Sequence, residues 1–97
     1  MRTFKIAIAD DHQLFRKGMK ELLEGIAGHD VMLEAENGKD LLEQLKEKQP
    51  DVILMDHKMP EMDGVEATTI ICQDYPGIPV IGLSMYADDG SIMRMIK

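Results

Sequence analysis

Asp10 and Asp11 are adjacent, and both could hold a divalent cation. Asp56 lies much further along the chain and Ser84 further still, each directly after an apolar run. Carboxylates crowded together repel one another unless a cation compensates. A hard divalent ion such as Mg2+ takes oxygen ligands and readily shares its shell with phosphate oxygens. A carboxylate beside such an ion can act as a nucleophile and form an aspartyl phosphate. The metal then neutralises charge on the incoming phosphoryl group, and the protein has mainly to position its reactants. Each residue taken alone has a plainer explanation. An acid pair before a helix is an N-cap signal, an Asp before a Pro/Gly loop is a turn residue, and a Ser after a strand bonds to nearby backbone. A shared site is favoured because all four residues close predicted strands.

Those strands alternate with helices. Phe4 to Ala9 (FKIAIA) is β-rich, and from Gln13 to Glu24 the residues Leu14, Phe15, Met19, Leu22 and Leu23 recur at helical spacing. Gly25 and Gly28 end that helix. Val31 to Ala35 is a second strand, and Asn37 is an N-cap candidate for a helix reaching about Lys48, which Pro50 stops. Val52-Ile53-Leu54-Met55 is apolar without alternation, as suits a strand covered on both faces. A loop from Asp56 to Asp63, a helix from Gly64 to Tyr75, a strand from Pro79 to Leu83 and a helix start near Asp88 complete the order. Four β-then-α units predict a parallel sheet with right-handed crossovers and helices on both faces. In such folds sites collect at the carboxyl ends of the strands, where the three acids and Ser84 fall.

The chain has 97 residues, 44% hydrophobic and 30% charged, which fits one globular domain. Its net charge of −7 argues against nucleic acid as a partner of this segment, since phosphate backbones demand a Lys/Arg-rich face. The single cysteine, Cys72, excludes an internal disulfide, fits a reducing compartment and reads as a small buried hydrophobe in a helix. No run approaches the ~20 apolar residues of a membrane helix, and the N-terminus shows no secretory pattern. A cytoplasmic protein is expected.

At Ile8-Ala9-Asp10-Asp11-His12, at Val52 to Asp56 followed by Met59-Pro60 and Met62-Asp63-Gly64, and at Val80 to Ser84, the chain resembles the receiver domain of two-component response regulators. The stretch ADDHQLFRKGMKELL and the LSMY at Ser84 are similar to the NarL/LuxR-type subgroup. The resemblance implies a flavodoxin-like α/β fold, a doubly wound parallel sheet of order 2-1-3-4-5. It implies that Asp56 is the phosphoacceptor, taking its group from a sensor histidine kinase. Mg2+ would be held by Asp11, Asp56 and the backbone carbonyl of Lys58, with Asp10 acting through water. Ser84 would hydrogen-bond a phosphoryl oxygen and couple it to switching, while Met59, Pro60 and Gly64 would shape the loop presenting Asp56. Tyr86 could report the switch or simply cover the fourth helix. The motif gives His12 and His57 no ligand role, and a solvated or packing histidine is expected at both.

Such a domain is a phosphorylation-controlled switch rather than an enzyme, with transcription the expected output through a helix-turn-helix DNA-binding domain outside the chain. The family's fifth strand and helix, with a phosphate-contacting lysine, would fall beyond Lys97, so residues 1–97 are expected to be an incomplete receiver. From this follow two further expectations: a dimer or other partner at the open edge of the fourth strand, and a phosphorylation-independent interaction module as the alternative function. A haloacid-dehalogenase-type hydrolase also uses an Asp nucleophile with Mg2+. It requires a second Asp two residues later, where this chain has Lys58.

Overall fold

The computed structural model describes residues 3–56, 59 and 61–83. Strand β1 (Lys5–Ala9) leads into helix α1 (Gln13–Glu21). Then come β2 (Asp30–Ala35), α2 (Gly38–Leu45), β3 (Val52–Asp56), α3 (Gly64–Asp74) and β4 (Val80–Leu83). All strand pairs are parallel and the order is β2-β1-β3-β4. This is the flavodoxin-like arrangement expected through the fourth strand, with the central strands covered on both faces. The register sets Ala9 opposite Met55 and Ile8 opposite Leu54. The residues that follow, Asp10 and Asp56, therefore share the carboxyl edge of neighbouring strands.

Two apolar layers sandwich the sheet. On one face Ala7, Ala9, Leu33, Ala35, Ile53 and Met55 pack with Leu41 and Leu45 of α2 and Ala67 and Ile71 of α3. On the other, Ile6, Ile8, Val31 and Leu54 meet Met19 of α1 and Leu23 just beyond it. Fully burying such side chains contributes about 1.5–3 kcal/mol each. Pairing of β1 with β2 slips between Ile6 and Ala7, whose partners are Val31 and Leu33. Met32 is the extra residue of this bulge. A one-residue slip moves every later side chain to the other face. Val31 accordingly packs on the α1 side, Leu33 and Ala35 on the α2–α3 side, and Glu34 turns toward α1.

The helix ends follow sequence chemistry. Asn37 caps α2 by accepting from the Asp40 N–H at 2.7 Å, and Asp63 caps α3 by accepting from the Glu66 N–H at 2.8 Å. The first helix departs from expectation: α-geometry stops at Glu21, and Leu22–Ile26 form a π-helical turn containing Gly25. Gly28, at φ 74°, then reverses the chain. Helix α2 ends at Leu45 rather than near Lys48, and Cys72 is half-buried on α3. No helix among the described residues is long and apolar enough to cross a membrane. The helix expected from Asp88 lies outside the described residues.

Candidate metal centre

Asp10 directly follows β1. Its N–H donates to the Ala35 carbonyl at 3.0 Å, extending the β1–β2 pairing by one rung. Its Oδ1 accepts from the His12 N–H at 2.7 Å, which folds the chain back into the start of α1. Asp56 is the last residue of β3, paired with Leu83 of β4. Both carboxylates are sunk into the sheet edge: 2% of the Asp10 side chain is exposed and 9% of that of Asp56. Asp11 is more open.

Asp10, Asp11, His12 and Asp56 each offer one ligand atom, and these atoms all lie within 4.8 Å of one another. The three acids named from sequence are thus brought together by two adjacent strands. Sequence reasoning gave His12 no ligand role. Its ring is largely exposed, as expected of a solvated histidine, but Nδ1 lies 3.0 Å from Asp11 Oδ1, 3.2 Å from Asp10 Oδ1 and 3.9 Å from Asp56 Oδ2. Its position immediately after the acid pair was the only signal available. Three converging carboxylates form a hard oxygen set of the kind Mg2+ prefers. His12 is a softer donor on an exposed side chain.

The loop after β3 is anchored at both ends. Met59 is buried in the core beneath α2 and α3. The Met62 carbonyl accepts from the Gly38 N–H at 3.0 Å, and Gly64 is buried as the first residue of α3. Both described residues expected to shape the loop, Met59 and Gly64, are thus buried. Glu61 sits in this loop at φ 64°, a conformation that disfavours any side chain. Lys58, Pro60, Ser84 and Tyr86, expected at the site or its switch, lie outside the described residues, as do His57 and Lys97.

Residues 6–97 match the family described as the response regulator receiver domain. The chain is 41% identical over 93 residues to the transcriptional regulatory protein DegU of Brevibacillus brevis, covering 96% of this chain and 39% of that protein. It is 40% identical over 92 residues to the response regulator protein VraR of Staphylococcus saprophyticus, covering 95% and 44%. The chain thus spans less than half the length of these curated relatives. Among solved structures, a LuxR-family two-component response regulator from Aurantimonas sp. SI85-9A1 superposes with a TM-score of 0.89 at 28% identity, over 97% of this chain and 67% of that one.

Proposed function

Because the chain belongs to the family of response regulator receiver domains, we propose that it is a phosphorylation-controlled switch with Asp56 as acceptor. The observation that carries this reading is the convergence of Asp10, Asp11 and Asp56 from the ends of β1 and β3. Asp56 is the acid best placed for the nucleophile: it is fixed at a strand end, nearly buried and flanked by the other two. An Asp56 carboxylate oxygen attacks the phosphorus of a phosphohistidine on a sensor kinase. A P–O bond forms as the P–N bond breaks, and the departing imidazole nitrogen takes up a proton. Hydrolysis resets the switch, with water attacking phosphorus to release inorganic phosphate and restore the carboxylate.

Asp11 and Asp56, with Asp10 beside them, would hold Mg2+ in this reading. When bound, the ion supplies charge neutralisation for the phosphoryl oxygens. Asp10 and Asp11 keep the site electronegative enough to recruit it. The sheet edge orients Asp56 so that little motion is needed at the moment of transfer. Phosphotransfer and dephosphorylation are the domain's only chemistry, and its consequence is a change of conformation rather than turnover of a substrate. The name of the DegU relative, a transcriptional regulatory protein, supports transcription as the output, exerted through a DNA-binding domain outside residues 1–97. The negative charge of this segment fits a role in which it does not itself touch DNA. A cytoplasmic location fits a kinase donor.

Incubation with acetyl phosphate and Mg2+, followed by intact-mass measurement, tests the proposal. A phosphoryl adduct is expected on the wild type and none on Asp56→Asn. An adduct of equal yield on both would overturn the assignment.

A further inference from the structure

The peptide that joins Asp10 to Asp11 is held from outside the acid cluster. Arg16, in the first turn and a half of α1, donates from Nη1 to the Asp10 carbonyl at 2.5 Å. Its Nε donates to Glu34 Oε1 at 3.3 Å. Only 11% of the Arg16 side chain is exposed. Glu34 is itself fixed: Lys20 Nζ lies 3.5 Å from its Oε2, and its backbone carbonyl accepts from Gln44 Nε2 at 2.8 Å. On the opposite side the Asp10 N–H is tied to Ala35 of β2. The segment carrying both acids is therefore triangulated between β2 and α1. The bulge at Met32 makes this possible, because without it Glu34 would face α2 and α3.

A guanidinium suits this task. It is planar and presents several donors in a rigid fork, so one side chain can serve a carbonyl and a carboxylate at once. An ammonium is a compact charge on a flexible stem.

We propose that Arg16 is a positioning residue for the acid site. It fixes the Asp10–Asp11 peptide so that both carboxylates face Asp56, and Glu34 holds the guanidinium in place. This rests on the reading of the three acids as a site for a hard cation. Partners behind a ligand commonly govern its orientation, and their loss weakens metal binding about 10–100-fold. The direction is diagnostic. By charge alone, removing a cation beside the site should strengthen binding of Mn2+ or Mg2+. By positioning, it should weaken it.

The test is titration of the intact chain with Mn2+, read from the electron paramagnetic resonance signal of the free ion, alongside thermal melting. Arg16→Met is expected to weaken Mn2+ binding by about ten-fold or more. Arg16→Lys, which keeps the charge, should recover part of that loss. Ile71→Val, in the core on the opposite face of the sheet, should lower the melting temperature and leave Mn2+ affinity unchanged. If Arg16→Met does not fold, Arg16→Lys carries the test by itself, with an expected affinity below that of the wild type. Folded Arg16 variants that bind Mn2+ as tightly as the wild type, or more tightly, overturn the proposal. So does an Ile71→Val protein whose affinity falls as far as theirs. A wild type that binds no Mn2+ would instead overturn the hard-cation reading on which the proposal stands.

Discussion

Two residues carry local conflicts that mutation should expose. Thr68 is buried on α3, and its Oγ1 finds no hydrogen-bond partner among the described residues. An unpaired buried hydroxyl costs about 1–3 kcal/mol. Thr68→Val keeps the branched shape, so urea denaturation should show it unchanged or up to ~1–2 kcal/mol more stable than the wild type. A clear loss of stability would mean that the hydroxyl is satisfied. Glu61 adopts φ 64° in the loop after β3. The left-handed region costs a side-chain-bearing residue about 1–2 kcal/mol, while glycine adds back up to ~1 kcal/mol of unfolded-chain entropy. Glu61→Gly should therefore gain up to about 1 kcal/mol in the same measurement. The acids themselves were legible from sequence because each closes an apolar run. Arg16 was not, because its role depends on where a guanidinium reaches in space, which no spacing along α1 encodes.

Among the elements, α2 and α3 meet at a point that only glycine fits. A Cβ on Gly38 would lie 2.8 Å from the Met62 carbonyl oxygen and 2.9 Å from the Ala67 Cβ. The Gly38 N–H also bonds that same carbonyl. Gly38→Ala must push α2 from the loop that leads into α3, at a cost of about 1–3 kcal/mol. Thermal melting checks this, and an unchanged midpoint would refute the close approach. Loss of the α3 cap in Asp63→Ala should cost about 1 kcal/mol. The helices and strands were largely readable, since apolar periodicity, Asn37 and Pro50 mark their bounds. The π-helical turn at Leu22–Ile26 was not, because it keeps a helical spacing while changing its hydrogen bonds. The bulge at Met32 was equally hidden: Val31 to Ala35 gives no local sign that its register slips against β1. That slip decides which face Glu34 occupies, and so whether β2 can support the acid site.

For the whole molecule, crowding three carboxylates at one sheet edge, two of them buried, sacrifices stability that a cation restores. Asp56→Asn removes one charge without changing shape. In the absence of divalent ions it should therefore melt higher than the wild type. Added Mg2+ should raise the wild type's midpoint and leave Asp56→Asn nearly unmoved, because a ligand at a hundred times its Kd contributes about 2.7 kcal/mol. Equal responses of the two proteins would remove the physical reason for the cluster. The parallel order β2-β1-β3-β4 is what joins residues so distant in sequence; the repeated strand-then-helix pattern predicted the parallel sheet, and the order itself came from the family resemblance. The central claim is that Asp56 carries the phosphoryl group, and its most direct test is to locate that group. After treatment with acetyl phosphate and Mg2+, borohydride reduces an acyl phosphate to the alcohol and leaves homoserine in place of aspartate. The tryptic peptide from residue 49 to 58 contains both Asp51 and Asp56, and fragment-ion mass spectrometry distinguishes them. Homoserine at position 56 alone is the predicted result. Homoserine at position 51 or elsewhere, with Asp56 intact, would contradict it.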